Sequence, residues 1–379
     1  MPEYNLSTFC PLPFSGFDSR LKWVCCVYSH PTDQNLKSHN QIKHNPKIVQ
    51  LQQDLLDGIK SPECDGCWRL ESSGIPSLRT RILHRLKYDY QQEFDVRVEQ
   101  LVNKKNLKFL WINSGSVCNL ACRSCSHVYS SSLFKEHKDR FNKIPVTGIT
   151  KTDISSLIEE DYSDILEIMI LGGEPFLNLE HVQILDEIVR QGHSNQAELK
   201  YFTNGTIKLP HDIERNIPHF KQVMFQISID AIDEQFEYIR TNGKWSTIAD
   251  SFAYFNELQK THGNLVLSVQ ITISALNVLY LDELLNWLGN FNIETVVQWP
   301  VSEPNEYTFK ILNQRQKDSV VHYLKTLSHD VSGLISHVEG TTFDPTALEK
   351  FHREVAWTES YKGLALQDYL PRLIDLLKS

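Results

Sequence analysis

The sequence predicts an α/β fold with a parallel sheet, on two observations. From about residue 107 to 302, six strand-like segments alternate with helix-like ones. Two of those strands also alternate between an apolar face and a mostly polar one. Repeated β-then-α units imply parallel strands joined by right-handed crossovers.

The strands are "KFLWIN" (108–113), "LEIMIL" (166–171), "LKYFT" (199–203), "VMFQISI" (223–229), "LVLSVQITI" (265–273) and "ETVVQW" (294–299). All are rich in β-branched and aromatic residues. Between them, Val182, Leu185, Ile188 and Val189 fall on one helix face, with Gly192 as the stop. Ile248, Phe252, Phe255 and Leu258 form another such face, with Ser246 in position to cap it. In the fourth strand Val223, Phe225, Ile227 and Ile229 alternate with Met224, Gln226, Ser228 and Asp230. The fifth strand sets Leu267, Val269, Ile271 and Ile273 against Ser268, Gln270, Thr272 and Ser274. A sheet coated on both faces reads almost continuously apolar. One greasy and one polar face instead predict a helical coat outside and a cavity inside.

Residues 1–80 differ in character. "TFCPLPFSGFDSRLKWVCCVYSH" suggests two short strands around a "GFDS" turn, followed by a polar stretch and a helix near 47–58. A helical connector (81–105) leads to the main domain (106–302), and a helical extension (303–379) shows no chemistry of its own. The basic stretch "LRTRILHRLKY" (78–88) is interleaved with apolar residues and reads as a solvated helix face.

The bulk numbers exclude several classes. With 41% apolar and 22% charged residues the composition is that of a globular protein. Net charge is −9, which gives no strong nucleic-acid signal. No apolar run reaches the ~18 residues that suggest a membrane span, and the N-terminus lacks a secretory signal, so a cytoplasmic location is expected. The eight cysteines lie at 10, 25, 26, 64, 67, 118, 122 and 125. Clustering without a signal peptide favours metal or iron–sulfur ligation over disulfides.

Cys118, Cys122 and Cys125 form a C-x3-C-x2-C motif just after the first main-domain strand. Structural zinc is closed by four ligands. Three thiolates can hold three irons of a [4Fe–4S] cluster and leave the fourth open. This motif on a six-fold β/α series resembles the radical S-adenosylmethionine enzymes, which implies a partial (β/α)6 barrel. In that family a reduced cluster splits S-adenosylmethionine to methionine and a 5′-deoxyadenosyl radical, which takes hydrogen from a substrate.

Further motifs fit the resemblance, each at the C-terminal end of a strand, where β/α barrels gather their sites. "LGGEP" supplies Gly172, Gly173, Glu174 and Pro175. The glycines let backbone approach a ligand closely, Glu174 can hold an ammonium, and the family's equivalent motif binds the methionine amino group. "FTNGT" (202–206) and "SIDA" (228–231) place Asn204, Ser228 and Asp230 near the methionine end and the ribose hydroxyls. Arg240 in "YIRTNG" stands where relatives meet the carboxylate. Ser124 departs from the family, which often carries an aromatic or aliphatic residue before the third cysteine. His127 reads as an exposed residue, because a fourth protein ligand would close the iron the cofactor needs.

"CPLPF…DSRLKWVCC…ECDGCWRLESSGIPSLR" resembles the twitch module, related to SPASM modules, placed here before the barrel as in one subfamily. The resemblance implies an auxiliary [4Fe–4S] cluster on Cys10, Cys25, Cys64 and Cys67, with Cys26 as substitute for Cys25. Zinc is the alternative, since C-x2-C is a common zinc half-site. By analogy with relatives the substrate is a peptide or protein side chain. A carbohydrate or small metabolite is the alternative, and a non-catalytic iron–sulfur or zinc scaffold is the reading from another class. A one-electron reductase such as flavodoxin or ferredoxin is the implied partner.

Overall fold

The structure is a computed structural model, and it describes residues 7–25, 38–72, 76–88, 94–142 and 153–379. Among these residues the strands are β1 (Gly16–Asp18), β2 (Phe109–Asn113), β3 (Ala121–Cys122), β4 (Glu167–Leu171), β5 (Glu198–Thr203), β6 (Gln222–Ser228), β7 (Arg240–Thr241), β8 (Leu265–Ile273) and β9 (Thr295–Pro300). Seven of them form one parallel sheet in the order β1-β2-β4-β5-β6-β8-β9. The six strands predicted from the sequence are all in it, so the fold is the expected α/β partial barrel. β3 and β7 make a separate antiparallel ribbon.

The two-faced strands behave as their alternation predicts. Val223, Phe225, Ile227, Val269 and Ile271 are fully buried, while Met224, Gln226, Ser228, Gln270 and Thr272 are only partly covered. On the polar face the Gln226 amide donates to Gln270 Oε1 at 2.6 Å. Outside, the helix Val182–Arg190 buries Val182, Ile184, Leu185 and Ile188, and Gly192 follows it at φ 79°. The helix Trp245–Thr261 starts one residue before Ser246, which therefore does not cap it. Glu237 takes that role, its carboxylate accepting from Trp245 N at 3.0 Å.

The N-terminal segment departs from expectation. Leu12–Ser15 is a short helix, and the predicted "GFDS" turn is itself β1, which adds to the sheet beside β2. Asp18 then bridges back to Trp23. The rest of the second predicted strand, including Cys26, lies outside the described residues. Phe9, Phe14 and Phe17 are buried in one continuous core with the barrel strands and the C-terminal helices. Two helices, Leu78–Tyr88 and Phe94–Lys104, fill the connector, and the extension is helical from Gln314 to Lys378.

The basic residues of the helix Leu78–Tyr88 divide: Arg81, His84 and Lys87 are exposed as expected, whereas Arg79 and Arg85 turn inward. Arg79 is 6% exposed and pairs with Glu71. Arg85 pairs with Glu167 and Glu198, the first residues of β4 and β5. A helix repeats cations equally well for water and for a polar cavity, so periodicity alone does not separate the two. Among the described residues no helix is long and apolar enough to cross a membrane.

Two core histidines, His39 and His181, have pKa values lowered by burial and make stability depend on pH; His181 shows how. His181 Nδ1 lies 3.0 Å from the Asn178 carbonyl and Nε2 2.8 Å from the Tyr201 hydroxyl. A carbonyl only accepts, so Nδ1 carries the proton and Nε2 accepts from the tyrosine, which fits the neutral ring. Burial lowers its pKa from 6.5 to about 4. The unfolded chain therefore binds the extra proton, and stability is lost as pH falls from about 6.5 to about 4. The loss from this residue is about 3 kcal/mol. Urea titrations at pH 7 and 4.5 should show it, and His181→Gln should narrow the difference.

Candidate functional site

The C-terminal ends of the central strands bring the predicted motifs together. Cys118 lies in the loop after β2, Cys122 in β3 and Cys125 in the turn closed by Cys125 N donating to Cys122 O at 3.1 Å. Ser131 Oγ accepts from Cys118 N at 3.1 Å, and Ser132 Oγ donates to Cys118 O at 2.9 Å. These serines open the next helix and pin the loop. Burial is the main cause of the raised thiols, Cys118 being pushed up to about 11 and Cys122 to about 12, with Cys125 adding a smaller upward push on both. A bare thiolate is therefore disfavoured here, whereas a bound cation or cluster would hold it deprotonated. Among the described residues no three His, Cys, Asp or Glu side chains sit where one metal ion would join them.

The paired glycines do a different job from the one expected. A Cβ on Gly173 would stand 2.3 Å from the Val117 carbonyl oxygen, and one on Gly172 2.6 Å from the Gly115 carbonyl oxygen. The close approach they permit is to the cysteine loop itself. Gly173 N donates to Gly115 O and Glu174 N to Val117 O, both at 2.8 Å. Gly172 and Gly173 thus dock the loop of Cys118 onto the end of β4, and Pro175 starts the 3-10 turn that follows.

Glu174 also turns inward. Its side chain is fully buried and accepts from Phe176 N, Thr203 Oγ1 and Asn204 N at 3.1, 2.8 and 2.7 Å. Burial raises its pKa to about 7 against the lowering effect of these donors. In this state the carboxylate orders the end of β5 and is not presented to a ligand ammonium. Asn204 is placed by it, and its amide donates to Cys118 Sγ at 3.8 Å and to Asn119 Oδ1 at 2.9 Å.

The β3–β7 ribbon sets Cys122 directly opposite Arg240. Arg240 is 6% exposed; its Nη1 donates to Cys122 Sγ at 3.8 Å and its Nη2 meets Asp230 Oδ2 at 2.9 Å. Asp230 Oδ1 accepts from Thr272 N at 2.8 Å. Asp230, expected near ribose hydroxyls, and Arg240, expected at a carboxylate, are therefore joined to each other and to the second cysteine. Arg240 Nε is buried without a hydrogen-bond partner among the described residues, a donor still available to a bound group. Ser228 ends β6, partly buried on the same face. Ser124 is also partly buried.

His127 is not an exposed residue. It is partly buried and its ring lies 4.6 Å from that of His137. Both line a cleft of about 260 Å³ behind Cys122 and Cys125, with Arg123, Tyr307, Glu354 and Trp357. Sequence reasoning missed this wall, and it corrects the view that the extension lacks a part in the site. The tail's helical pattern gives no sign of it.

A second cavity is lined by Cys10, Cys25, Cys64 and Cys67, drawn from three separate stretches of chain. Cys64 closes the 3-10 turn Pro62–Cys64 and Cys67 lies in the helix Asp65–Ser72, which puts both on one side. Burial pushes the Cys64 thiol up to about 12 and raises that of Cys10 as well. Arg79 reaches the same cavity, stacked over Trp68 at 4.9 Å and donating to the Phe9 carbonyl at 3.0 Å.

This arrangement, three thiols at the C-terminal end of a parallel partial barrel, agrees with the family comparison. Residues 112–286 match the family model described as the Radical SAM superfamily. That stretch runs from β2 into the helix after β8 and holds the three cysteines with Gly172, Gly173, Glu174, Asn204, Ser228, Asp230 and Arg240, but not Tyr307, Glu354 and Trp357 of the cleft wall. No curated protein matches the chain. Among solved structures, anSMEcpe with bound AdoMet has 15% identity and a TM-score of 0.41, over 68% of this chain and 66% of its own. Streptococcus suis SuiB bound to S-adenosylmethionine has 14% identity and a TM-score of 0.42, over 77% of this chain and 64% of its own. The same protein bound to precursor peptide SuiA has 15% identity and a TM-score of 0.39, over 82% and 65%. This chain thus spans about two thirds of the length of those proteins, and likeness at that level assigns no activity to it.

Proposed function

We propose that the chain is a radical enzyme that binds S-adenosylmethionine at a [4Fe–4S] cluster and removes hydrogen from a peptide or protein side chain. What supports the reading is that Asn204 donates to Cys118 and Arg240 to Cys122, which ties the cysteine motif to the end of β5 and to β7. No cysteine follows Cys125 in the chain, and four others line the second cavity. The donor set suits iron held at three corners, clusters being normally held by four cysteines.

When bound, the cluster supplies one-electron cleavage of S-adenosylmethionine to methionine and a 5′-deoxyadenosyl radical. The chain's own part is placement. Gly172 and Gly173 lock the cysteine loop to β4, Glu174 fixes the Asn204 backbone, and Asp230 aims Arg240 at Cys122. Arg240 Nε and the half-covered Ser228 are the groups left to meet a cofactor. The apolar coat of Ile227, Val269 and Ile271 keeps the strands rigid and dry behind them.

We assign residues 1–80 to a twitch-like module whose Cys10, Cys25, Cys64 and Cys67 hold an auxiliary [4Fe–4S] cluster. A helical connector (81–105), the barrel (106–302) and the helical extension (303–379) complete the division. A flavodoxin or ferredoxin supplies the electron.

Anaerobic reconstitution tests the reading. Two four-iron clusters give about eight irons per chain, and dithionite with S-adenosylmethionine should release 5′-deoxyadenosine without substrate. Zinc without iron, or full iron loading without cleavage, would support a scaffold instead.

A further inference from the structure

We propose that Arg81 and Trp299 form a substrate anchor inside the barrel, and that the substrate is an extended peptide carrying a carboxylate at that point. The inference rests on the radical-enzyme reading for the reaction, but not for the binding.

The sheet register places Trp299. It pairs with Thr272 across β8–β9, whereas Val296 and Gln298 pair with Val269 and Ile271, which are buried under the outer helices. Trp299 is therefore on the inner face, two strands from Asp230, about 10 Å at the usual strand spacing. Asp230 in turn meets Arg240 and, through it, Cys122. For an inward tryptophan, an exposure of 48% is high. The indole is open where a substrate must sit to reach the cysteine end of the barrel.

Arg81 covers that indole. It projects from the helix Leu78–Tyr88, with its guanidinium carbon 5.9 Å from the Trp299 ring centroid. One turn further on, Arg85 shares Glu167 and Glu198 with Lys200, and Lys221 comes within 3.9 Å of Glu198. Arg81 has no carboxylate among the described residues and is exposed. A guanidinium held over an aromatic face keeps its N–H edge available for a bidentate carboxylate.

The edge of the sheet argues for a peptide. Among the described residues β9 is hydrogen-bonded to β8 alone, so its outer row of backbone N–H and C=O groups is unpaired. An extended segment added there would turn alternate side chains to the inner face, beside Trp299 and Arg81. A small metabolite would use the anchor but not the edge.

A display library of random 12-residue peptides, selected on the reconstituted full-length protein with S-adenosylmethionine, tests this. Wild-type protein should enrich Asp or Glu at one position about tenfold over Arg81→Gln, on the scale of one charge-assisted pair. Arg81→Glu should reverse the preference to Lys or Arg, and Trp299→Ala should weaken it. Substrate-free release of 5′-deoxyadenosine should be unchanged in all three variants. Failure to enrich any peptide, or an acidic preference that survives Arg81→Glu, overturns the anchor. Peptide enrichment without cofactor cleavage by wild type would leave the anchor standing and remove the radical reading.

Discussion

Replacing Cys118 by alanine is expected to abolish 5′-deoxyadenosine release while leaving the fold intact. The residue lies in a loop, half-buried and outside the hydrophobic core, so little packing is lost. The loss in rate should exceed the roughly 100-fold seen when only a supporting partner of a ligand is removed. Iron content should fall from about eight to about four. Cys64→Ala makes the informative contrast. It too should cost about four irons, but from the second cavity, and some substrate-free cleavage should persist. Equal loss of cleavage from both changes would argue against two separable sites.

The second large effect is expected from Gly173→Ala, a change that adds one methyl group and touches no proposed ligand. The added carbon would meet the Val117 carbonyl oxygen at 2.3 Å, with the carbonyl carbon at 2.7 Å. Both are backbone atoms, so no side chain can swing aside. Overpacking of this kind costs about 1–3 kcal/mol and sometimes more. Here the easiest relief is to lift the cysteine loop off β4, breaking the hydrogen bonds from Gly173 N and Glu174 N. The variant should keep its helical circular dichroism, lose the irons of the first site and retain those of the second. Full iron loading at both sites would show that the glycines are not the dock.

Much of this was legible in the chain. The six barrel strands announced themselves because each is apolar on one face over five or more residues, well within reach of periodicity. The C-x3-C-x2-C motif and its companions were legible because each sits at a strand end, where local sequence and position coincide. What escaped has a common cause. The link from Asp230 through Arg240 to Cys122 depends on a ribbon of two two-residue strands, too short to leave a pattern. The inward aim of Arg85 depends on carboxylates 82 and 113 residues away. The purpose of Gly172 and Gly173 depends on a loop more than fifty residues earlier, which no local rule reports. Glu174 was legible as a chemical group, yet its partners, Thr203 and Asn204, come from the next strand and turn it away from the cleft.

The pairing of β1 with β2 has a consequence for how the chain is made. Gly16–Asp18 is synthesised more than ninety residues before its partner Phe109–Trp111. The nascent N-terminal segment must therefore wait, with its phenylalanines uncovered, until the barrel's first long strand arrives to receive it. A chain shortened to begin at the barrel would expose the flank of β2 as an open template for self-association.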